Sequence, residues 1–128
     1  MSILYLDASA LVRLAVDEPG ADDLARLLEA ATEIITSAVA LVEVRRALAR
    51  SLPDYDPDHI LDRCTVIGLD STVITCAGVL QPDTLRSLDA IHVASALSVA
   101  SDLDAFVTCD QRQASAATAA GLPVEVPA

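Results

Sequence analysis

Residues 3–14, ILYLDASALVRL, decide the fold class of this chain. The run at 3–6 has the length and apolar composition of a buried strand, and Asp7 ends it where an amphipathic helix begins. The same order of apolar run, Asp and helix returns at 105–110. Strands that lead directly into helices are the building units of α/β domains with a parallel sheet, so we expect that architecture here.

The rest of the chain continues the alternation. Its patterning predicts strands at 3–6, 33–36, 64–69, 105–109 and 124–126. It predicts helices at about 8–16, 21–31, 38–50, 57–62, 71–80, 88–100 and 111–120. The expected helix signals are N-caps at Ser37, Asp70 and Ser87, a stop at 17–20 and a C-cap at Gly121. We therefore predict one three-layer α/β/α domain over residues 1–128, with a central, mostly parallel sheet.

Composition restricts the function classes. Hydrophobic residues make up 53% of the 128 residues but only three residues are aromatic, which suits a core of Ala, Val, Leu and Ile. The formal net charge of −11 argues against a nucleic-acid partner, unless bound cations reverse the sign locally. All eight Lys or Arg positions are Arg. This suits bidentate phosphate contacts, although a GC-rich coding bias is the simpler explanation.

The cysteines and the hydropathy pattern indicate a cytoplasmic protein. Cys64, Cys76 and Cys109 are far apart and match no metal-binding or redox spacing, so we expect reduced thiols. The first residues lack a cationic segment, and no apolar stretch approaches the length of a membrane span.

Four carboxylates lie at the edges of apolar segments, namely Asp7, Glu43, Asp89 and Asp110. Asp7 and Asp110 follow predicted strands, and open parallel sheets bind ligands at the carboxyl ends of their strands. An ionised carboxylate beside a core is costly unless it is paired. A divalent cation would pair with all four, and oxygen ligands without His or Cys suit Mg²⁺ or Mn²⁺ better than Zn²⁺. Such ions can activate water for phosphodiester hydrolysis.

Each acid also has a purely structural explanation. Asp7 and Asp110 could be helix N-caps, and Asp89 could favour a helix dipole from the first turn. Glu43 could pair with Arg46 one helical turn away. Each explanation is sufficient for one acid. To explain all four acids in this way, however, four independent coincidences at core edges are needed, so a shared site is favoured.

Four segments resemble the motifs of PIN-domain nucleases, in the family's order. The run at 3–14 resembles the first, an apolar strand followed by Asp-x-Ser, and TSAVALVEVRRAL at 36–48 resembles the second. LRSLDAIHVASAL at 85–97 closely resembles the third motif as found in small VapC-type toxins. FVTCDQRQASAATAAGLPV at 106–124 resembles the fourth, so the resemblance covers essentially the whole chain.

The resemblance implies an endoribonuclease that acts as the toxin of a toxin–antitoxin pair and uses Mg²⁺ or Mn²⁺. It assigns the catalytic, metal-binding role to the four carboxylates above. It also implies a VapB-type antitoxin as partner and a homodimer.

Several neighbouring residues are expected to support these acids. Ser9 would orient the Asp7 side of the site, and Thr108 would act similarly. Arg86 and Arg112 are candidate contacts to a substrate phosphate. His92 is three residues after Asp89 on the same predicted helix, so it could hydrogen-bond Asp89, and we expect a structural role for it rather than that of a general base.

Other families with a strand–Asp–helix pattern fit less well. A phosphoacceptor receiver needs a Lys, which this chain lacks, and a haloacid-dehalogenase-type phosphatase needs an Asp where Ser9 stands. The remaining alternative is a PIN-like protein-binding module that has lost metal binding. The presence of all four acids argues against it.

Overall fold

The predicted alternation of strands and helices is confirmed. The structure is a computed structural model that describes residues 2–16 and 18–127, so Asp17 of the predicted stop lies outside it. The strands are β1 (Ser2–Leu6), β2 (Ala31–Ser37), β3 (Thr65–Ile67), β4 (Ala105–Val107) and β5 (Val124–Glu125). The helices are α1 (Ala8–Ala15), α2 (Ala21–Ala30), α3 (Ala38–Ser51), α4 (Asp58–Leu61), α5 (Ser71–Val79), α6 (Ser87–Leu97) and α7 (Gln111–Ala119). A 3₁₀ turn at Ala100–Asp102 separates α6 from β4.

The five strands form one sheet in the order β3-β2-β1-β4-β5. Each of these neighbouring pairs is parallel, and Leu4 at the centre lies between Ile34 of β2 and Ala105 of β4. Because the strands are parallel, the carboxyl ends of β1, β2 and β4 meet at one edge. Three of the four predicted acids lie on the segments that follow these strands: Asp7 after β1, Glu43 on α3 after β2, and Asp110 after β4.

Helices cover both faces of the sheet, which confirms the three layers. Successive residues of β1 point to opposite faces. Leu6 belongs to a buried cluster that includes Leu11 and Leu48, on α1 and α3. Tyr5 belongs to a second cluster that includes Val93 of α6. The two clusters hold the helices against the sheet and fix the positions of their first turns.

The local signals for helix ends were mostly correct. Asp70 accepts a hydrogen bond from the Val73 amide, Ser37 accepts one from Val39, and Gly121 has a φ of 93° after α7. The N-cap predicted at Ser87 is wrong. The extended residue before α6 is Arg86, so Ser87 is already the first helical residue.

In the described part of the chain, no helix is both long enough and apolar enough to cross a bilayer.

Candidate active site

Two of the acids are fixed by strand-to-helix junctions on neighbouring strands. Asp7 directly follows β1, and its side chain caps α1 by accepting from the Ala10 amide at 3.1 Å. Asp110 follows β4 and caps α7 by accepting from the Arg112 amide at 2.9 Å. The capping roles considered from the sequence are therefore real. They also hold both carboxylates at the carboxyl edge of the sheet, where a ligand would bind.

The Asp7 carboxylate is buried and held by two hydroxyl groups. Ser9 donates to Oδ1 at 2.6 Å, and Thr108 donates to Oδ2 at 2.5 Å. Asp7 is only 4% exposed. Burial raises the pKa of Asp7 above its usual range, while the hydrogen bonds from Ser9 and Thr108 act in the opposite direction. Ionisation of Asp7 is therefore more costly here than in water, and a nearby cation would stabilise the ionised form.

The same hydroxyl groups connect the Asp7 side of the site to the Asp110 loop. The Ser9 hydroxyl accepts from the Cys109 amide at 2.9 Å, and Thr108 accepts from the Asp110 amide at 3.1 Å. The two hydroxyl oxygens lie 3.2 Å apart. Ser9 and Thr108 therefore contact Asp7 and the turn that carries Asp110 at the same time, as expected for supporting residues.

Glu43 is positioned by a buried histidine on another helix. His92 Nε2 lies 2.7 Å from Glu43 Oε1, and His92 Nδ1 lies 2.7 Å from the Tyr5 hydroxyl. Burial, followed by the nearby charge of Asp7, raises the pKa of Tyr5 well above its usual value, so the phenol keeps its proton. Tyr5 can then donate to Nδ1, which leaves the Nε2 proton for Glu43.

This arrangement corrects two expectations. His92 was considered as a hydrogen-bond partner of Asp89, but both of its ring nitrogens face Tyr5 and Glu43. Glu43 was considered as a partner of Arg46, but its carboxylate contacts His92 instead. The reason is burial: His92 is 1% exposed and faces the sheet. Helical spacing does not reveal a contact with residues on β1 and α3.

Asp89 and Asp110 are brought together by an arginine. Arg86 Nε donates to Asp89 Oδ2 at 3.1 Å, and Arg86 Nη2 lies 3.7 Å from Asp110 Oδ2. Asp89 is in the first turn of α6, as expected. The Arg86 side chain is 66% exposed, so it covers the two acids from the solvent side. Arg112 is exposed, and only its backbone amide contacts Asp110.

A groove of about 570 Å³ opens next to Ser9 and Glu43. It is lined mainly by α1 and α3. Besides Ser9 and Glu43, its lining includes three arginines, a second acid and several apolar side chains: Arg13, Arg46, Arg50, Glu18, Val12, Val42 and Leu88. These arginines were not among the site residues predicted from the sequence. The available signal was the position of Arg46 and Arg50, three and seven residues after Glu43 on one helix.

The acids suit a hard divalent cation by their chemistry. All four offer carboxylate oxygens, which Mg²⁺ and Mn²⁺ prefer. Among residues 2–16 and 18–127, no three His, Cys, Asp or Glu side chains are placed to hold a metal ion together. Each acid instead contacts a protein donor, and Arg86 already places positive charge between Asp89 and Asp110. The donor chemistry of the four carboxylates suits such a cation, although their side chains as placed do not form a preassembled binding group.

Comparison with known proteins identifies the family. Residues 4–119 match the PIN domain. The chain is 39% identical to ribonuclease VapC46 of Mycobacterium tuberculosis in an alignment of 133 positions that covers 99% of each protein.

Two solved structures share the fold. The crystal structure of Mycobacterium tuberculosis VapC20, described as a toxin that cleaves the sarcin–ricin loop, superposes with a TM-score of 0.76 at 18% identity. That alignment covers 98% of this chain and 99% of VapC20. A chain from a toxin–antitoxin complex of Klebsiella pneumoniae superposes with a TM-score of 0.72 at 20% identity, over 98% of each chain. The match to the PIN domain and the 39% identity to VapC46 along nearly the whole chain show that the chain belongs to the PIN-domain family and, within it, to the VapC ribonucleases.

Proposed function

We propose that this chain hydrolyses RNA as the toxin of a toxin–antitoxin pair, with Asp7, Glu43, Asp89 and Asp110 as its catalytic acids. The observation that carries the proposal is the connection of Asp7, Asp89 and Asp110 through shared partners in a VapC ribonuclease. Asp7 and Asp110 share the support of Thr108, and Asp89 and Asp110 share Arg86. Three of the four acids are thus connected through shared partners, which unrelated structural carboxylates would not require.

VapC-type PIN domains act with a divalent metal ion, and we propose Mg²⁺ here, with Mn²⁺ as a substitute. Asp7, Glu43, Asp89 and Asp110 would hold it. When bound, the ion would polarise the scissile phosphate and make a water molecule more acidic. The raised pKa of Asp7 supports this proposal, because a buried carboxylate of this kind is stabilised by a cation.

The chain's own residues then have separate tasks. Ser9 and Thr108 hold the two oxygens of Asp7 and thereby fix the direction of its lone pairs. His92 does the same for one oxygen of Glu43. Arg86 and Arg112 lie on the exposed side of the acids, where their guanidinium groups can contact a phosphate.

The groove beside Glu43 answers part of the objection raised by the net charge of −11. Arg13, Arg46 and Arg50 line it together with the acid Glu18. Glu18 pairs with Arg13, so Arg46 and Arg50 are the stronger candidates for contacts to RNA phosphates. We propose that a homodimer adds the arginines of a second copy to this surface. We also propose a cytoplasmic location, which suits the free thiols of the three cysteines.

A VapB-type antitoxin is the proposed protein partner. The fold shared with a chain of the Klebsiella pneumoniae toxin–antitoxin complex supports it. A cationic antitoxin side chain entering the four-acid site would be electrostatically complementary to it. The alternative, a non-catalytic PIN-like binding module, gives no reason for Ser9, Thr108 and His92 to orient carboxylates at a solvent-accessible edge.

Growth of bacteria that express the chain tests the toxin assignment. Expression alone should stop growth, and co-expression of the small protein encoded next to this chain should restore it. Ser9→Ala should relieve the arrest only in part, because loss of a group behind a metal ligand typically costs about 10- to 100-fold. Normal growth at a verified level of folded protein would argue for the non-catalytic module.

A further inference from the structure

Arg86 contacts two of the four carboxylates that the proposed function assigns to a divalent cation. Its Nε donates to Asp89 Oδ2 at 3.1 Å, and its Nη2 lies 3.7 Å from Asp110 Oδ2. Among the ion pairs of the described residues, Arg86 is the cation found with two of the four acids. Its place in the site is therefore that of a counter-ion.

We propose that Arg86 is an internal counter-ion that competes with the divalent cation for Asp89 and Asp110, and that its release makes its guanidinium available to the RNA phosphate. The inference rests on the proposed function and assigns Arg86 a second role in the same site. Carboxylate oxygens that bind Mg²⁺ lie about 2.0–2.1 Å from it, so the cation and the guanidinium would repel each other at contact distance. Each therefore weakens the binding of the other to Asp89 and Asp110.

The position of Arg86 suits a contact that forms and breaks. Its side chain is 66% exposed, and ion pairs of exposed side chains are weak and easily replaced by water. Arg86 precedes the first turn of α6 in an extended conformation, and its side chain does not cap the helix. The guanidinium can therefore move away from Asp89 without disturbing α6. Once released, it lies beside the acids and can make two parallel hydrogen bonds to a phosphate.

Competition predicts opposite effects on the cation and on RNA. Arg86→Gln removes the competing charge, so Mn²⁺ should bind about three- to tenfold more tightly. RNA cleavage by the same variant should fall at saturating Mn²⁺, because the phosphate loses its guanidinium. If Arg86 only supported the fold, its replacement would weaken both Mn²⁺ binding and RNA cleavage. A residue that only bound phosphate would leave Mn²⁺ affinity unchanged.

Calorimetric titration of RNA-free protein with Mn²⁺ is the test. Wild type, Arg86→Gln, Arg86→Lys and Arg112→Gln are compared, each checked for native circular dichroism. Arg86→Lys keeps the positive charge and should bind Mn²⁺ nearly as wild type does. Arg112→Gln removes the same charge from a side chain with no ion pair among the described residues, so its Mn²⁺ affinity should change by less than twofold.

The outcomes separate this inference from the proposed function. Tighter Mn²⁺ binding by Arg86→Gln alone supports the competition. Equal or weaker binding by Arg86→Gln, in a wild type that does bind Mn²⁺, overturns the competition and leaves the catalytic assignment intact. An equal rise in Mn²⁺ affinity in Arg86→Gln and Arg112→Gln would show that net charge alone causes the effect, and it would also overturn the competition. A wild type that binds no Mn²⁺ overturns both proposals.

Discussion

RNA cleavage by the purified protein should fall by more than 100-fold when Asp7 is replaced by Asn. Loss of a group that only supports a metal ligand already costs about 10- to 100-fold, and Asp7 is proposed as a ligand itself. Asn keeps the size of the side chain and remains a good N-cap for α1, because its amide oxygen can accept from the Ala10 amide and from Ser9. The change therefore removes charge with little effect on shape.

Asp54→Asn is the matched control for this variant. Asp54 is an exposed acid in the turn between α3 and α4, and its replacement changes the net charge by the same amount. Its cleavage rate should remain within about twofold of wild type, because surface substitutions outside such sites rarely matter. A folded Asp7→Asn protein that cleaves RNA as fast as Asp54→Asn would remove Asp7 from the catalytic centre.

The thermal stability of the same variant should respond to metal much less than that of wild type. Mn²⁺ at a hundredfold excess over its Kd should stabilise wild type by about 2.7 kcal/mol. For a domain of this size that corresponds to a rise in melting temperature of roughly 10 °C. Asp7→Asn should gain much less from Mn²⁺, because one ligand charge is missing.

In EDTA, by contrast, Asp7→Asn should melt at a higher temperature than wild type. Burial raises the pKa of Asp7 in the folded chain, so protonation of Asp7 favours folding. This contribution is complete below the unfolded pKa of about 3.9 and is lost as the pH rises through the folded pKa. At pH 7 the ionised carboxylate therefore destabilises the metal-free fold, and Asn removes that cost.

Melting curves of both proteins in EDTA and in Mn²⁺, at pH 5 and pH 7, measure these effects together. The advantage of Asp7→Asn over wild type in EDTA should shrink at pH 5, where wild-type Asp7 is closer to its protonated form. An equal Mn²⁺ shift in both proteins, or a lower melting temperature of Asp7→Asn in EDTA, would show that Asp7 acts only as a helix cap.

The sequence predicted the architecture because its strongest signals are local. Asp7, Asp70 and Asp110 each follow an apolar or extended segment, and each caps the helix that comes next. Such side-chain-to-backbone hydrogen bonds span two or three residues, so they can be inferred without the fold. The ends of the elements were less accurate: strand β4 stops at Val107 because Thr108 and Cys109 already belong to the turn toward Asp110.

The contacts within the site could not be predicted in the same way, because they join distant segments. Tyr5, Glu43 and His92 come from a strand and two helices, and helical spacing compares only residues on one helix. One signal was available: a buried tyrosine needs a partner for its hydroxyl, and this chain has only two tyrosines. For Arg86, the sequence predicted a position near the acidic site but not its ion pair with Asp110, because Asp110 precedes a different helix from the one that carries Asp89.

RNA hydrolysis by wild-type protein, with Mg²⁺ and then with excess EDTA, tests the central claim most directly. A mixture of structured cellular RNAs should yield discrete fragments in Mg²⁺. The fragments should not form in EDTA, and cleavage should resume when Mg²⁺ is restored. Cleavage of equal rate and pattern in EDTA, by protein free of contaminating nuclease as judged from an inactive Asp7→Asn preparation, would contradict a metal-dependent carboxylate site.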